Sequence, residues 1–337
     1  MVGTGTQEMP RMPAAVTGSA MGWREGGRRL LEEYRVEAAM AFALVVLGAV
    51  LSVAAPNFLT EGNLRNVLWQ VTAVGLIAIG QTLVILTAGI DLSVGGIAAL
   101  SAMVGGLVMV DSNVPIGIAV TLLIGAGVGL LNGLIVAYGR LAAFIVTLGM
   151  ASIANSLTYV ISDAKSLVGL PAGYRTLGRG DIGGLQYYLI VFGALYLVGH
   201  LMLIQTKPGR FLYAIGSNEE AARLSGVNVR AYKTLPYLIS GLLAAVAALI
   251  LSGRLGAIDP DTGTGFELDT IAAVVIGGTS LFGGKGSLIG TLIGVFIIGV
   301  LNNGLNLLRV SSFWQGSAVG AVIILSVLVE RVFRRGT

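Results

Sequence analysis

The run Ser217-Asn218-Glu219-Glu220-Ala221-Ala222-Arg223-Leu224-Ser225-Gly226 carries more charge than a buried core accepts, and its spacing is that of a capped helix. The Ser217 hydroxyl is placed to accept from the third helical amide, and Glu220, three residues on, to return the bond to the cap. Gly226 supplies the left-handed residue that closes such a helix. The expected product covers residues 218–225, about two turns, too short to persist alone in water. Its acids sit in the first turn and Arg223 near the last, each favourable against the helix dipole. A solvated loop helix is the plain reading; recognition by charge, on a surface that supports the helix, is the functional one.

A second group is neutral. Gln81, Thr82, Asn132, Asn155, Asn302, Asn303 and Asn306 lie inside apolar runs, where they either bond neighbouring helices or offer hydrogen bonds to a polar solute. Asp91, between Gly89 and Gly95, is the acid set deepest in apolar sequence. Catalysis has little to stand on. The chain has no cysteine and one histidine, His200, so it offers no thiolate, no disulfide and no metal-ligating cluster. Gly283-Gly284-Lys285-Gly286-Ser287 falls short of a phosphate-binding loop, because glycine follows Lys285 and Thr279 stands where the first glycine belongs. If ATP drives this protein, another polypeptide binds it.

The elements that position these residues are apolar. Charged residues make up 11% of the chain, against about 25% in ordinary globular domains. Between charges lie ten uncharged runs: 38–55, 66–90, 92–110, 112–139, 141–162, 182–206, 234–253, 270–284, 286–308 and 310–329. A helix needs about 20 apolar residues to cross a hydrocarbon core about 30 Å thick, so the runs read as spans. The run 270–284 is short; it reaches full length only by taking in residues 266–269, or else it is a half-helix. Blocks rather than alternation exclude a β-barrel. Residues 1–37 show no apolar core of a signal peptide, so they read as a basic tail ahead of a retained first span.

Placing the N-terminus in the cytoplasm and alternating through ten spans leaves only Arg65, Lys165, Arg175, Arg179, Arg254 and Arg309 of the 21 Lys and Arg outside. That bias puts both termini and the loop 205–234 in the cytoplasm. It also accounts for the net charge of +4 without nucleic acid.

Two passages match in order. Ile90-Asp91, a glycine, then Ile97-Ala98-Ala99 is answered by Ile258-Asp259, a glycine, then Ile271-Ala272-Ala273, and Gly129 to Leu134, around Asn132, is answered by Gly299 to Leu305, around Asn302 and Asn303. Spans 2–5 then correspond to spans 7–10. Five spans separate the copies, so the two cross the membrane in opposite senses, as in many transporters. Isolated glycines such as Gly125, Gly127 and Gly129 read as packing, whereas the clusters holding Gly89 and Gly95, and Gly283 and Gly284, read as helix breaks or gates. The expected fold is an all-α integral membrane protein of about ten transmembrane helices with an inverted repeat. Few ionisable groups lie within the spans, which argues against a proton- or sodium-driven carrier.

Three long stretches resemble the ribose-type sugar permeases of bacterial ABC importers, within the broader group that holds branched-chain amino-acid permeases. They are Gly80 to Gly95, Gly209 to Gly226, and Asp269 to Ser287, inside a resemblance running from about Ala38 to Arg335. The resemblance implies one transmembrane domain, 38–335: a first repeat of about 66–162, the coupling loop 205–234, and a second repeat of about 234–332. It implies a bacterial plasma-membrane location, a second permease chain (identical or paralogous), cytoplasmic ATPase subunits that hold the ATP and Mg, and an extracytoplasmic sugar-binding protein. Ser217, Asn218, Glu219, Glu220, Ala221, Arg223 and Gly226 would form the coupling helix. A nucleoside, a branched-chain amino acid or autoinducer-2 is the alternative cargo, and a stand-alone facilitator the alternative class.

Overall fold

Each long uncharged run becomes a helix, because backbone groups in hydrocarbon must bond within their own segment. The structure, a computed structural model, describes residues 35–334, so the basic tail lies almost wholly outside the described residues. Before the central loop come α1 (Arg35–Ala54), α2 (Glu61–Leu86), α3 (Val94–Asp111), α4 (Val114–Gly139), α5 (Ala143–Ser162), α6 (Ala172–Arg179) and α7 (Tyr187–Gln205). The loop holds α8 (Lys207–Ser217) and α9 (Glu219–Leu224). After it come α10 (Val229–Leu255), α11 (Phe266–Ile276), α12 (Leu288–Leu307) and α13 (Ser312–Arg334). Four two-residue strands make two antiparallel pairs: β1 (Leu167–Val168) with β4 (Ala257–Ile258), Leu167 opposite Ile258, and β2 (Asp181–Ile182) with β3 (Leu185–Gln186).

Among the described residues, eight helices, α1 to α5, α7, α10 and α12, are long and apolar enough to cross a membrane. α13 covers the tenth run. The short run is a half-helix: α11 takes in Phe266 to Asp269 yet ends at Ile276, so its 11 residues reach about 16 Å. Glycines stop it at both ends, with Gly265 (φ +89°) before it and Gly278 (φ +83°) after it. The segment that leads into α11 does not stay outside. A Cβ on Gly106 of α3 would meet Ile258, while one on Gly95 would meet Gly263; the segment thus descends along α3 by about 16 Å. Irregular backbone at that depth is tolerated where protein surrounds it, and Ile258, Pro260, Thr262 and Gly263 are buried.

α2 and α10 form the antiparallel centre, with Arg254 Nη2 donating to Asn66 Oδ1 at one end (2.7 Å) and Gly89 against Tyr237 at the other. α12 lies on α2 through Thr82 and Thr291 (2.8 Å) and a reciprocal amide pair, Asn63 with Asn303 (3.0 and 2.8 Å). α4 lies on the other side of α10. Helices in lipid gain little from apolar burial against each other, so close backbone approach decides their packing. Gly125, Gly129 and Gly133, four residues apart on one face of α4, meet the backbone of Gly241, Tyr237 and Thr234. Gly127, on the opposite face, meets nothing within 4 Å.

α1 holds to the rest at few points: Ser287 Oγ donates to Glu37 Oε1 (2.9 Å), Val36 lies against Gly278 and Leu51 against Gly304. We predict that Gly129→Leu overpacks the α4–α10 contact and costs about 1–3 kcal/mol, whereas Gly127→Leu is neutral. Thermal melts of the two variants in mild detergent check this; equal melts would show that the contact is not tight.

Candidate functional site

The charged helix forms where the sequence places it, but with a different cap. Lys207-Pro208 opens α8, whose first turn is capped by Thr206, and α8 runs on through Ser217. Ser217 is therefore spent as the last residue of α8. Asn218 takes the cap of α9, its Oδ1 accepting from Ala221 N at 2.9 Å. No reciprocal bond from Glu220 closes a box, because that acid faces Arg223 instead. The far end is as expected: Gly226 has φ +83°, Val227 N donates to Ala222 O (3.1 Å) and Gly226 N to Arg223 O (3.0 Å). These two bonds are a Schellman closure.

Two ion pairs fix the acids. Arg223 Nη2 lies 2.5 Å from Glu220 Oε1, and Lys233 Nζ 2.9 Å from Glu219 Oε2. Hydrogen bonds from the guanidinium hold the Glu220 carboxyl below the usual carboxylate range. Beneath, Ala222 packs with Ile215 and Val229. Above, Leu224 is 77% exposed, an apolar side chain presented outward on a polar helix.

The end of α8, from which α9 follows directly, is keyed to the membrane core by backbone. Gly284 N donates to Leu86 O (3.0 Å) at the end of α2, and a Cβ on Gly216 would collide with both Leu86 O and Gly284 N. Gly283 and Gly284 take positive φ (+82° and +72°) so that their segment fits against Ala88 and Ser217. Three pieces of chain thus touch without side chains between them: the end of α2, the end of α8 and the loop between α11 and α12.

Gly89, Asp91 and Gly95 belong to the break between α2 and α3. Asp91 is fully buried; Ser93 donates its N (3.0 Å) and Oγ (2.6 Å) to Oδ1, and Ser240 Oγ donates to Oδ2 (2.9 Å). Asn132 Nδ2 donates to Ser93 Oγ (2.7 Å), so this network joins the break between α2 and α3 to α4 and α10. Gln81 is buried, and neither its Oε1 nor its Nε2 finds a partner. Thr82 and Asn303 make the inter-helix bonds given above. Asn302 lies near the Asp269 carboxylate, and Asn306, exposed, accepts from Gln315 Nε2 (2.7 Å). Asn155 is exposed on α5, near the exposed Ser152 and Tyr159.

The re-entrant segment adds groups that the sequence does not single out. Tyr159 OH donates to Asp261, also exposed, and Glu267 lies against Gly95, one residue from the Gly96 that faces Asn155. Amide, phenol and carboxylates therefore gather at membrane depth around the start of α3. The signal available was the glycine density of Gly263-Thr264-Gly265, beside a short apolar run.

The chain was also compared with known proteins. The family model of the branched-chain amino acid transport system permease component matches residues 63–327. The ribose import permease protein of Escherichia coli (strain K12) is 44% identical over 310 residues, 90% of this chain and 97% of that protein. The ribose import permease protein of Bacillus subtilis (strain 168) is 46% identical over 86% of this chain and 90% of its own length. The D-allose transport system permease protein of Escherichia coli (strain K12) is 37% identical over 87% and 91%. No solved structure matches.

The cap assignment gives a direct expectation. Asn218→Ala removes about 1 kcal/mol of capping, which raises hydrogen exchange across α9 about fivefold, while Ser217→Ala leaves it unchanged. The reverse pattern would restore Ser217 as the cap.

Proposed function

Because the chain belongs to the family of branched-chain amino acid transport system permease components, we propose that it is the membrane-spanning subunit of a sugar ABC importer. Relatives matched along nearly their whole length are named for ribose and D-allose, which favours a monosaccharide cargo over an amino acid. The observation that carries the reading is the seating of α9. The six-residue helix is capped at both ends and follows directly on α8, whose last residues, Gly216 and Ser217, sit where Leu86 of α2 meets Gly284. Its exposed face joins Leu224 to paired charges, which suits a protein partner rather than water. That partner is a cytoplasmic ATPase, which holds the ATP and Mg and binds the permease states with different affinity, as any driver of a conformational change must.

Both termini face the cytoplasm of a bacterial plasma membrane. α2 to α5 and α10 to α13 are the two copies of an inverted repeat: α2 and α10 have nearly equal lengths and run antiparallel, and an irregular segment follows each. The breaks at Gly89–Gly95 and at Gly283–Gly284 are where the halves gate. Sugar delivered by an outer binding protein passes along the face of α5, closed by a second permease copy. Asn155, Tyr159, Asp261 and Glu267 offer it hydrogen bonds there, since polar groups at membrane depth belong beside a wet path.

Reversal of charge in Glu219→Lys with Glu220→Lys is expected to abolish ATP-driven uptake while membrane insertion stays intact; normal uptake of labelled ribose by that variant would sink the coupling assignment. Asn155→Leu is expected to lower uptake roughly tenfold, the weight of a lost hydrogen bond or two, with the bound ATPase undiminished. Unchanged uptake would move the pathway away from α5.

A further inference from the structure

We infer that the cavity beside α9 is a seat for an acidic segment of the ATPase partner, which then grips this chain through Arg140 and Arg230 as well as through the helix. The inference rests on the importer reading above. The cavity, of about 1030 Å³, lies between α9, the end of α4 and the first turn of α10. Val136 and Ala137, both buried, contribute apolar lining, and charged side chains surround them.

Charge within the cavity does not cancel. Glu219 is taken by Lys233 and Glu220 by Arg223. Arg140 and Arg230 line the same space, are exposed, and have no acidic partner among the described residues. Arg230 stands 5.5 Å from the centre of the Tyr138 ring, a contact that orients the guanidinium without neutralising it. Two free guanidiniums at one opening match carboxylates, which each planar fork binds through two parallel hydrogen bonds.

Arg140 closes α4 in the left-handed region (φ 55°, ψ 31°), at the point where the chain turns from α4 towards Leu141 and Ala142, which line the same cavity.

Size and place select the occupant. The volume suits several side chains of a loop tip or a helix end, not a whole helix. One wall is α9 itself, so any protein docked on the exposed Leu224 covers the opening as well. A lipid phosphate would satisfy the same guanidiniums, so the experiment separates it.

Tagged full-length chain is purified from its native cells in mild detergent, as wild type, as Arg140→Glu with Arg230→Glu, and as Arg140→Gln with Arg230→Gln. Bound ATPase per chain is measured at rising salt. The charge reversal is expected to lose roughly tenfold or more of the bound ATPase, and the glutamine pair less, with the difference from wild type shrinking as salt rises. Should the reversal aggregate, the glutamine pair carries the test. Undiminished ATPase on both Arg variants, with loss on Glu219→Lys/Glu220→Lys, overturns the inference and leaves the importer reading standing. A wild-type chain without ATPase overturns both. In vesicles of phosphatidylcholine with and without phosphatidylglycerol, an Arg effect that appears only with the anionic lipid assigns the cavity to lipid phosphate and overturns the inference.

Discussion

One backbone hydrogen bond, from Gly284 N to Leu86 O, ties together what the rest of the molecule keeps apart. Leu86 ends α2, and Gly284 lies in the loop between the half-helix and α12. Gly216, in the same contact, brings the end of α8 to both. Backbone meets backbone there, so a displacement of α8 reaches both α2 and the Gly283–Gly284 loop with little slack. Interiors packed to this density shift between discrete arrangements rather than deforming gradually. A transporter that alternates between two states needs a joint of that kind.

Around the joint, polar groups do the registering. Asp91 gathers Ser93, Ser240 and, through Ser93, Asn132, so the break between α2 and α3 shares one buried network with α4 and α10. The Asn63–Asn303 and Thr82–Thr291 pairs pin α12 to α2 at two depths. Each such bond is worth only about 1 kcal/mol in a membrane, yet a slide of one residue would break all of them together. Their value lies in fixing the register of helices whose apolar faces would otherwise slide.

The long spans were legible in the sequence because a run of about 20 apolar residues has few other fates. The charged helix was legible for the opposite reason: Glu219, Glu220 and Arg223 have no place in lipid. Its cap was misread because the capping box treats the four residues in isolation, while α8 had already claimed Ser217. The shortness of α11 could be narrowed to two readings but not decided, since what lets the chain break at Gly265 is the protein packed around it. Asp261 and Glu267 were missed on the same ground. Nothing in their spacing marks them, and only the tertiary path along α3 brings them to Gly95 and Tyr159.

The thin attachment of α1 bears on how the protein is made. Glu37 reaches its partner Ser287 across 250 residues of chain, which a ribosome takes roughly 10–50 s to add. α1 is made before every other described helix, while the contacts named for it come from Gly278, Ser287 and Gly304. Those contacts can form only once α12 has been made, so the docking of α1 comes late in the assembly of the described fold.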